Sequence, residues 1–206
     1  MKGAIFDLDG VLVDTAVYHY QAWKMLADKL GFLFTPADNE RLKGVSRMRS
    51  LDILLEIGHI KASDAQKAEM AAEKNRRYVA MLQNLTKAHL LDGAEEYLLS
   101  LRGQRVRIAL GSASKNAPLI LEKTGIAPLF DAVVDGSGVT KAKPDPEVFL
   151  KAAAALCLPP KECVVYEDSQ AGIDAARAAG MATVAVDRGG VLKDADCYVK
   201  SLRELL

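Results

Sequence analysis

The stretch Ala4-Ile5-Phe6-Asp7-Leu8-Asp9-Gly10 decides how this chain is read. A short apolar run with β-formers Ile5 and Phe6 passes directly into two carboxylates one residue apart, closed by a glycine. It reads as a buried strand whose C-terminal end delivers acidic side chains. Further β-rich apolar runs lie at 106–110, 132–134 and 163–166, with a weaker one at 182–186. From Asp92 onward they alternate with helical patterns at 94–101, 118–123, 146–156 and 171–179. Such alternation predicts an α/β fold, a parallel sheet covered by helices on both faces. Asp145-Pro146 reads as an N-cap and first helical residue, and Gly125 and Gly180 sit where helices end.

Residues 15–85 break the rhythm, because they carry helical patterns and no convincing strand. They read as an inserted all-α cap domain, leaving 1–14 and 86–206 as the core domain. Ser63 and Gln66 form a capping-box signature, and Gly58 closes the preceding helix. The composition fits this plan: 206 residues, half of them apolar, bury a real core and exclude a disordered chain. Twenty-seven basic residues balance twenty-seven acidic ones, so no global field favours nucleic acid. Cys157, Cys163 and Cys197 lie in apolar stretches and are expected to be buried thiols in a reducing compartment. No signal peptide and no apolar run of membrane-spanning length is evident, so a cytoplasmic protein without membrane partners is expected, with a monomer as the default.

Loops at the carboxyl ends of parallel strands converge on one crevice. Here those positions carry Asp7 and Asp9, then Ser112, then Lys143 before Pro144, then Glu167 and Asp168. Taken singly, each has a structural explanation, as a helix cap, a loop serine or a surface charge. Their joint arrival at successive strand ends favours a site. Clustered carboxylates repel unless a cation intervenes, and an all-oxygen donor set selects magnesium over zinc. Ser112 as donor and Lys143 as a fixed positive charge then suit a phosphoryl centre.

The string Phe6-Asp7-Leu8-Asp9-Gly10, with Ser112, Lys143-Pro144, Glu167-Asp168-Ser169 and Gly172, resembles the four signature motifs of the haloacid dehalogenase (HAD) superfamily of phosphotransferases. The resemblance spans nearly the whole chain. It implies a Rossmann-like core with a helical cap, an aspartyl phosphate on Asp7, and Asp9 as general acid and base.

The cap carries further polar groups. Thr15, His19 and Trp23, spaced by four, share a helix face. In 42–47, Gly44 permits close backbone approach and Arg47 can grip a phosphate with two parallel hydrogen bonds. Lys74 and Asn75 follow on the long helix. On the core side, Ser114-Lys115-Asn116 opens a helix and forms a ready anion site. Two anion sites are therefore expected, one reacting and one that holds a phosphate without reacting.

This pattern, with Ser50-Leu51 and Tyr78-Val79, is similar to that of the hexose-phosphate mutase branch of the same superfamily. The resemblance implies interconversion of β-glucose 1-phosphate and glucose 6-phosphate through the 1,6-bisphosphate, with sugar phosphates as partners. By the same resemblance Asp7, Asp9 (through its backbone carbonyl), Glu167 and Asp168 surround Mg2+. Thr15 and His19 join the catalytic set with Ser112 and Lys143. Trp23, Gly44, Val45, Arg47, Ser50, Lys74, Ser114, Lys115 and Asn116 bind substrate. A sugar-phosphate phosphatase on the same scaffold and a non-catalytic sugar-phosphate binder remain as alternatives.

Overall fold

The computed structural model describes residues 1–42 and 45–206. Among the described residues six strands form one parallel sheet: β1 (Gly3–Phe6), β2 (Arg107–Gly111), β3 (Ala132–Val134), β4 (Cys163–Glu167), β5 (Ala182–Val186) and β6 (Cys197–Val199). Their order is β3-β2-β1-β4-β5-β6. The chain reverses direction across the sheet at β1, which lies between β2 and β4. A crevice opens at the C-terminal end of such a switch point, and Asp7 follows β1 there. Phe6 pairs in register with Leu110 and with Tyr166, so Asp7 comes level with Glu167.

Side chains alternate across the sheet and seed two cores. Ala4, Phe6, Ile108 and Leu110 pack on one face with α5 (Ala94–Gly103) and α6 (Ala117–Thr124). Ile5, Ala109 and Val165 pack on the other with α7 (Glu147–Ala155) and α8 (Gln170–Ala178). Burial on both faces explains why β1 reads as a continuous apolar run rather than an alternating one.

Between β1 and β2 the chain forms α1 (Ala16–Leu30), α2 (Pro36–Glu40), α3 (Arg47–Ile57) and α4 (Asp64–Leu82). These helices have their own apolar cluster, with Trp23, Leu26, Phe34, Leu51 and Leu54 at its centre. The Ser63/Gln66 capping box is formed: the Gln66 N–H donates to Ser63 Oγ, and Gln66 Oε1 accepts from the Ser63 N–H at 2.9 Å. A second box, Thr35 with Asp38, opens α2. Each N-cap contributes about 1 kcal/mol.

Three expectations need correction. Strand β6 was not expected; three residues at a sheet edge give too short a pattern to read. Cys157 and Cys197 are exposed, and only Cys163 is buried. Cys157 follows the C-terminus of α7 with φ 54°, where the chain turns outward, and Cys197 lies on the edge strand. Helix α7 begins at Glu147, although Asp145 Oδ1 does accept a hydrogen bond from the Glu147 N–H at 3.0 Å.

Candidate active site

At the C-terminal edge of β1 and β4, buried Lys143 reaches across to two carboxylates. Its Nζ donates to Asp7 Oδ1 at 2.7 Å and to Glu167 Oε1. The other Glu167 oxygen accepts from the Asp168 N–H at 2.9 Å, the Ser169 N–H at 3.0 Å and the Ser169 hydroxyl at 2.8 Å. Glu167 is fully buried and therefore depends on these donors. The neighbouring lysine, Lys141, turns instead to Asp145 at 3.7 Å.

Asp7, Glu167 and Asp168 each offer a carboxylate oxygen, all within 4.8 Å of one another. Burial lifts the Asp7 carboxyl to about 7 even though Lys143 draws it down. One ammonium thus does not neutralise the group, and a hard cation at this acidic edge fits the donor chemistry. Gly10 shapes the same spot: at φ 84°, a Cβ there would fall 2.0 Å from Asp168 Oδ2.

Asp9 is built differently. Its carboxylate stands outside that trio and accepts the Thr15 hydroxyl, while His19 Nε2 faces Asp9 Oδ2 at 3.9 Å. Burial raises Asp9 above the usual carboxylate range, and the Thr15 hydroxyl opposes the rise. Burial, with Lys74 and Arg47 nearby, holds His19 well below its ordinary value, so the imidazole is neutral. Lys74 Nζ lies 3.0 Å from His19 Nδ1 and sits over the rings of Trp23 and Tyr78, 4.6 Å from each centroid. A neutral Nδ1 accepts that proton, which puts the ring's own N–H at Nε2, toward Asp9.

A cavity of about 560 Å3 joins these groups between the sheet edge and the helices α1–α4. From the core it is lined by Asp7, Asp9, Ser112, Lys143 and Asp168, and by Ser114, Lys115 and Asn116. From the helical side come His19, Trp23, Val45, Arg47, Ser50 and Lys74. Thr15 and Glu167 stand behind the lining, fully buried, and touch it through Asp9 and Lys143. Gly44 lies outside the described residues. Asn39, buried in α2, also lines the cavity and was not expected. Its one signal in the sequence is an amide on a short helix whose cap role Thr35 already fills.

Fold and site define a class: α/β enzymes in which carboxylates at a strand end move phosphoryl groups. The chain matches the haloacid dehalogenase-like hydrolase family over residues 1–180. It is 43% identical to a β-phosphoglucomutase of Bacillus subtilis, covering all of this chain and 92% of that one. A phosphorylated-carbohydrates phosphatase of Thermotoga maritima is 32% identical over 88% of this chain and 82% of its own. The crystal structure of a β-phosphoglucomutase from Clostridium difficile superposes with a TM-score of 0.96 at 43% identity, covering the whole of this chain and 93% of that one. This chain belongs to the haloacid dehalogenase-like hydrolase family.

Proposed function

We propose that the chain interconverts β-D-glucose 1-phosphate and D-glucose 6-phosphate, passing a phosphoryl group through Asp7 and β-glucose 1,6-bisphosphate. The observation that carries this reading is the pairing, in one cavity, of a reacting carboxylate with a second set of anion-binding groups. Arg47 comes from the helical side and Ser114 to Asn116 from the core. A phosphatase needs only the reacting end; a bisphosphate needs both. The 43% identity to a β-phosphoglucomutase over the full chain supports the same reading.

In the first half-reaction the phosphorylated Asp7 loses its phosphoryl group to the 6-hydroxyl of β-glucose 1-phosphate, and Asp9 takes the hydroxyl proton. The bisphosphate then turns end for end. The Asp7 carboxylate attacks the phosphorus at C1, Asp9 returns the proton to the departing oxygen, and glucose 6-phosphate leaves. Partly buried Asp9, raised above the usual carboxylate range and held by Thr15, suits a group that takes a proton and returns it. His19 and Lys74 orient Asp9, while Lys143 steadies Asp7 and meets the charge of the transferring group.

Mg2+ held by Asp7, Asp168 and the Asp9 backbone carbonyl would neutralise charge on the phosphoryl oxygens. Glu167, whose oxygens already accept four donors, serves from behind by holding Lys143 and the backbone at Asp168. Residues 15–85 act as a cap that closes over the bisphosphate and keeps water from the aspartyl phosphate. Among the described residues no helix is long and apolar enough to cross a membrane, and a cytoplasmic monomer acting on small sugar phosphates is the setting we propose.

The test is a coupled assay for glucose 6-phosphate from β-glucose 1-phosphate with Mg2+ and a trace of bisphosphate, run beside the α anomer. Glucose 6-phosphate from the β anomer alone is expected. Release of inorganic phosphate without glucose 6-phosphate would assign a phosphatase instead.

A further inference from the structure

Asn116 occupies the N-cap position of α6, yet its side chain makes no capping hydrogen bond. It forgoes the contact that asparagine ordinarily makes there. Its Nδ2 crosses to α4 and donates to Asn75 Oδ1 at 3.0 Å. The Asn116 backbone N–H is meanwhile satisfied by Ser114 Oγ at 3.2 Å, and the Ser114 N–H by Ser112 Oγ at 3.1 Å. The strand-end turn is thus internally held, and the Asn116 amide is the group that reaches the opposite wall.

An amide side chain has two faces of nearly equal size and opposite chemistry: a carbonyl that accepts and an NH2 that donates twice. Which one meets an anion is set by what holds the other. Asn116 lines the cavity; Asn75, half-buried, stands outside the lining. With one N–H engaged by the Asn75 carbonyl, the NH2 end of Asn116, a cavity-lining residue, is fixed in place. Its second N–H is left for an anion. A freed amide would rotate and offer its carbonyl, which repels a phosphate.

We infer that Asn75 is a positioning residue for phosphate recognition: its side-chain carbonyl holds the Asn116 amide donor-first toward the non-reacting phosphate and ties α4 to that site. The inference rests on the proposed reading of Ser114 to Asn116 as an anion site. Asn75 itself does not touch the phosphate. It acts through Asn116.

The experiment is a double-mutant cycle with Asn75→Ala, Asn116→Ala and the pair, read by steady-state kinetics on β-glucose 1-phosphate and by thermal unfolding. Alanine suits the middle of a helix, so the Asn75 variant keeps α4. A net hydrogen bond corresponds to about threefold to tenfold in binding. Asn75→Ala should raise KM by that factor with kcat nearly unchanged and Tm within about 2 °C. In the Asn116→Ala background it should add nothing. A wild-type KM for Asn75→Ala beside a raised KM for Asn116→Ala overturns the inference, and so does a penalty that persists undiminished in the double variant. If Asn116→Ala alone leaves KM unchanged, the anion-site reading fails, and that result is distinct from the other two.

Discussion

Gly172 lies directly against the carboxyl group of Glu167: a Cβ on Gly172 would come within 1.9 Å of Glu167 Cδ and 2.0 Å of Oε1. The reason is close approach. Ser169 caps α8 by accepting the Gly172 N–H at 3.2 Å, which draws the first turn of the helix over the buried carboxylate. That carboxylate in turn holds Lys143 against Asp7.

Gly172→Ala should therefore act from a distance on Asp7, the proposed nucleophile. The new methyl displaces the Glu167 carboxyl and loosens Lys143. Overpacking of this kind costs about 1–3 kcal/mol of stability, and the misplaced ammonium should lower kcat by about 100-fold. Kinetics beside urea unfolding measure both, and a fully active variant would refute the chain of contacts.

Asp7→Asn keeps an oxygen for Lys143 but removes the carboxylate proposed as nucleophile. No phosphoenzyme should form when the variant is incubated with bisphosphate, as read by the mass of the intact chain. A persisting phosphoryl adduct would move the nucleophile elsewhere.

Lys74 is a costly residue. Burial first, then the Arg47 charge, lowers its ammonium from the ordinary 10.5 to about 7, with Asp9 opposing the fall. The unfolded chain thus binds the proton more tightly than the folded one. Stability rises with pH between about 7 and 10.5, and below 7 the burial penalty is fully present. Lys74→Met should stabilise the fold by about 1–3 kcal/mol at pH 6.5, with the advantage fading by pH 10, while activity falls because His19 loses its partner. Urea titrations at the two pH values decide it; an equal gain at both would show that the charge is not the cause.

Arg47 lines the cavity from α3, and burial lowers its pKa somewhat. If it grips the non-reacting phosphate, Arg47→Ala loses a charged hydrogen bond of about 1.5–3 kcal/mol. KM should rise about 10-fold to 100-fold, and phosphate lost to water should increase relative to glucose 6-phosphate. An unchanged rate and product ratio would remove Arg47 from the site.

Read as a sequence, the chain determined its strands β1 to β5, the run of helices between β1 and β2, and the acidic, hydroxyl and lysine residues at the strand ends. Those features are local: a β-rich apolar run, a cap box at Ser63 and Gln66, and Asp7 immediately after Phe6 are set by neighbours within a few residues. Only tertiary structure decided that Gly10 and Gly172 make room for Asp168 and Glu167, and that Asn75 holds Asn116. It also decided that Cys157 and Cys197 face outward. Each of these depends on segments brought together by the packing of helices on the sheet, and neither the period nor the composition of one segment encodes the distance to another.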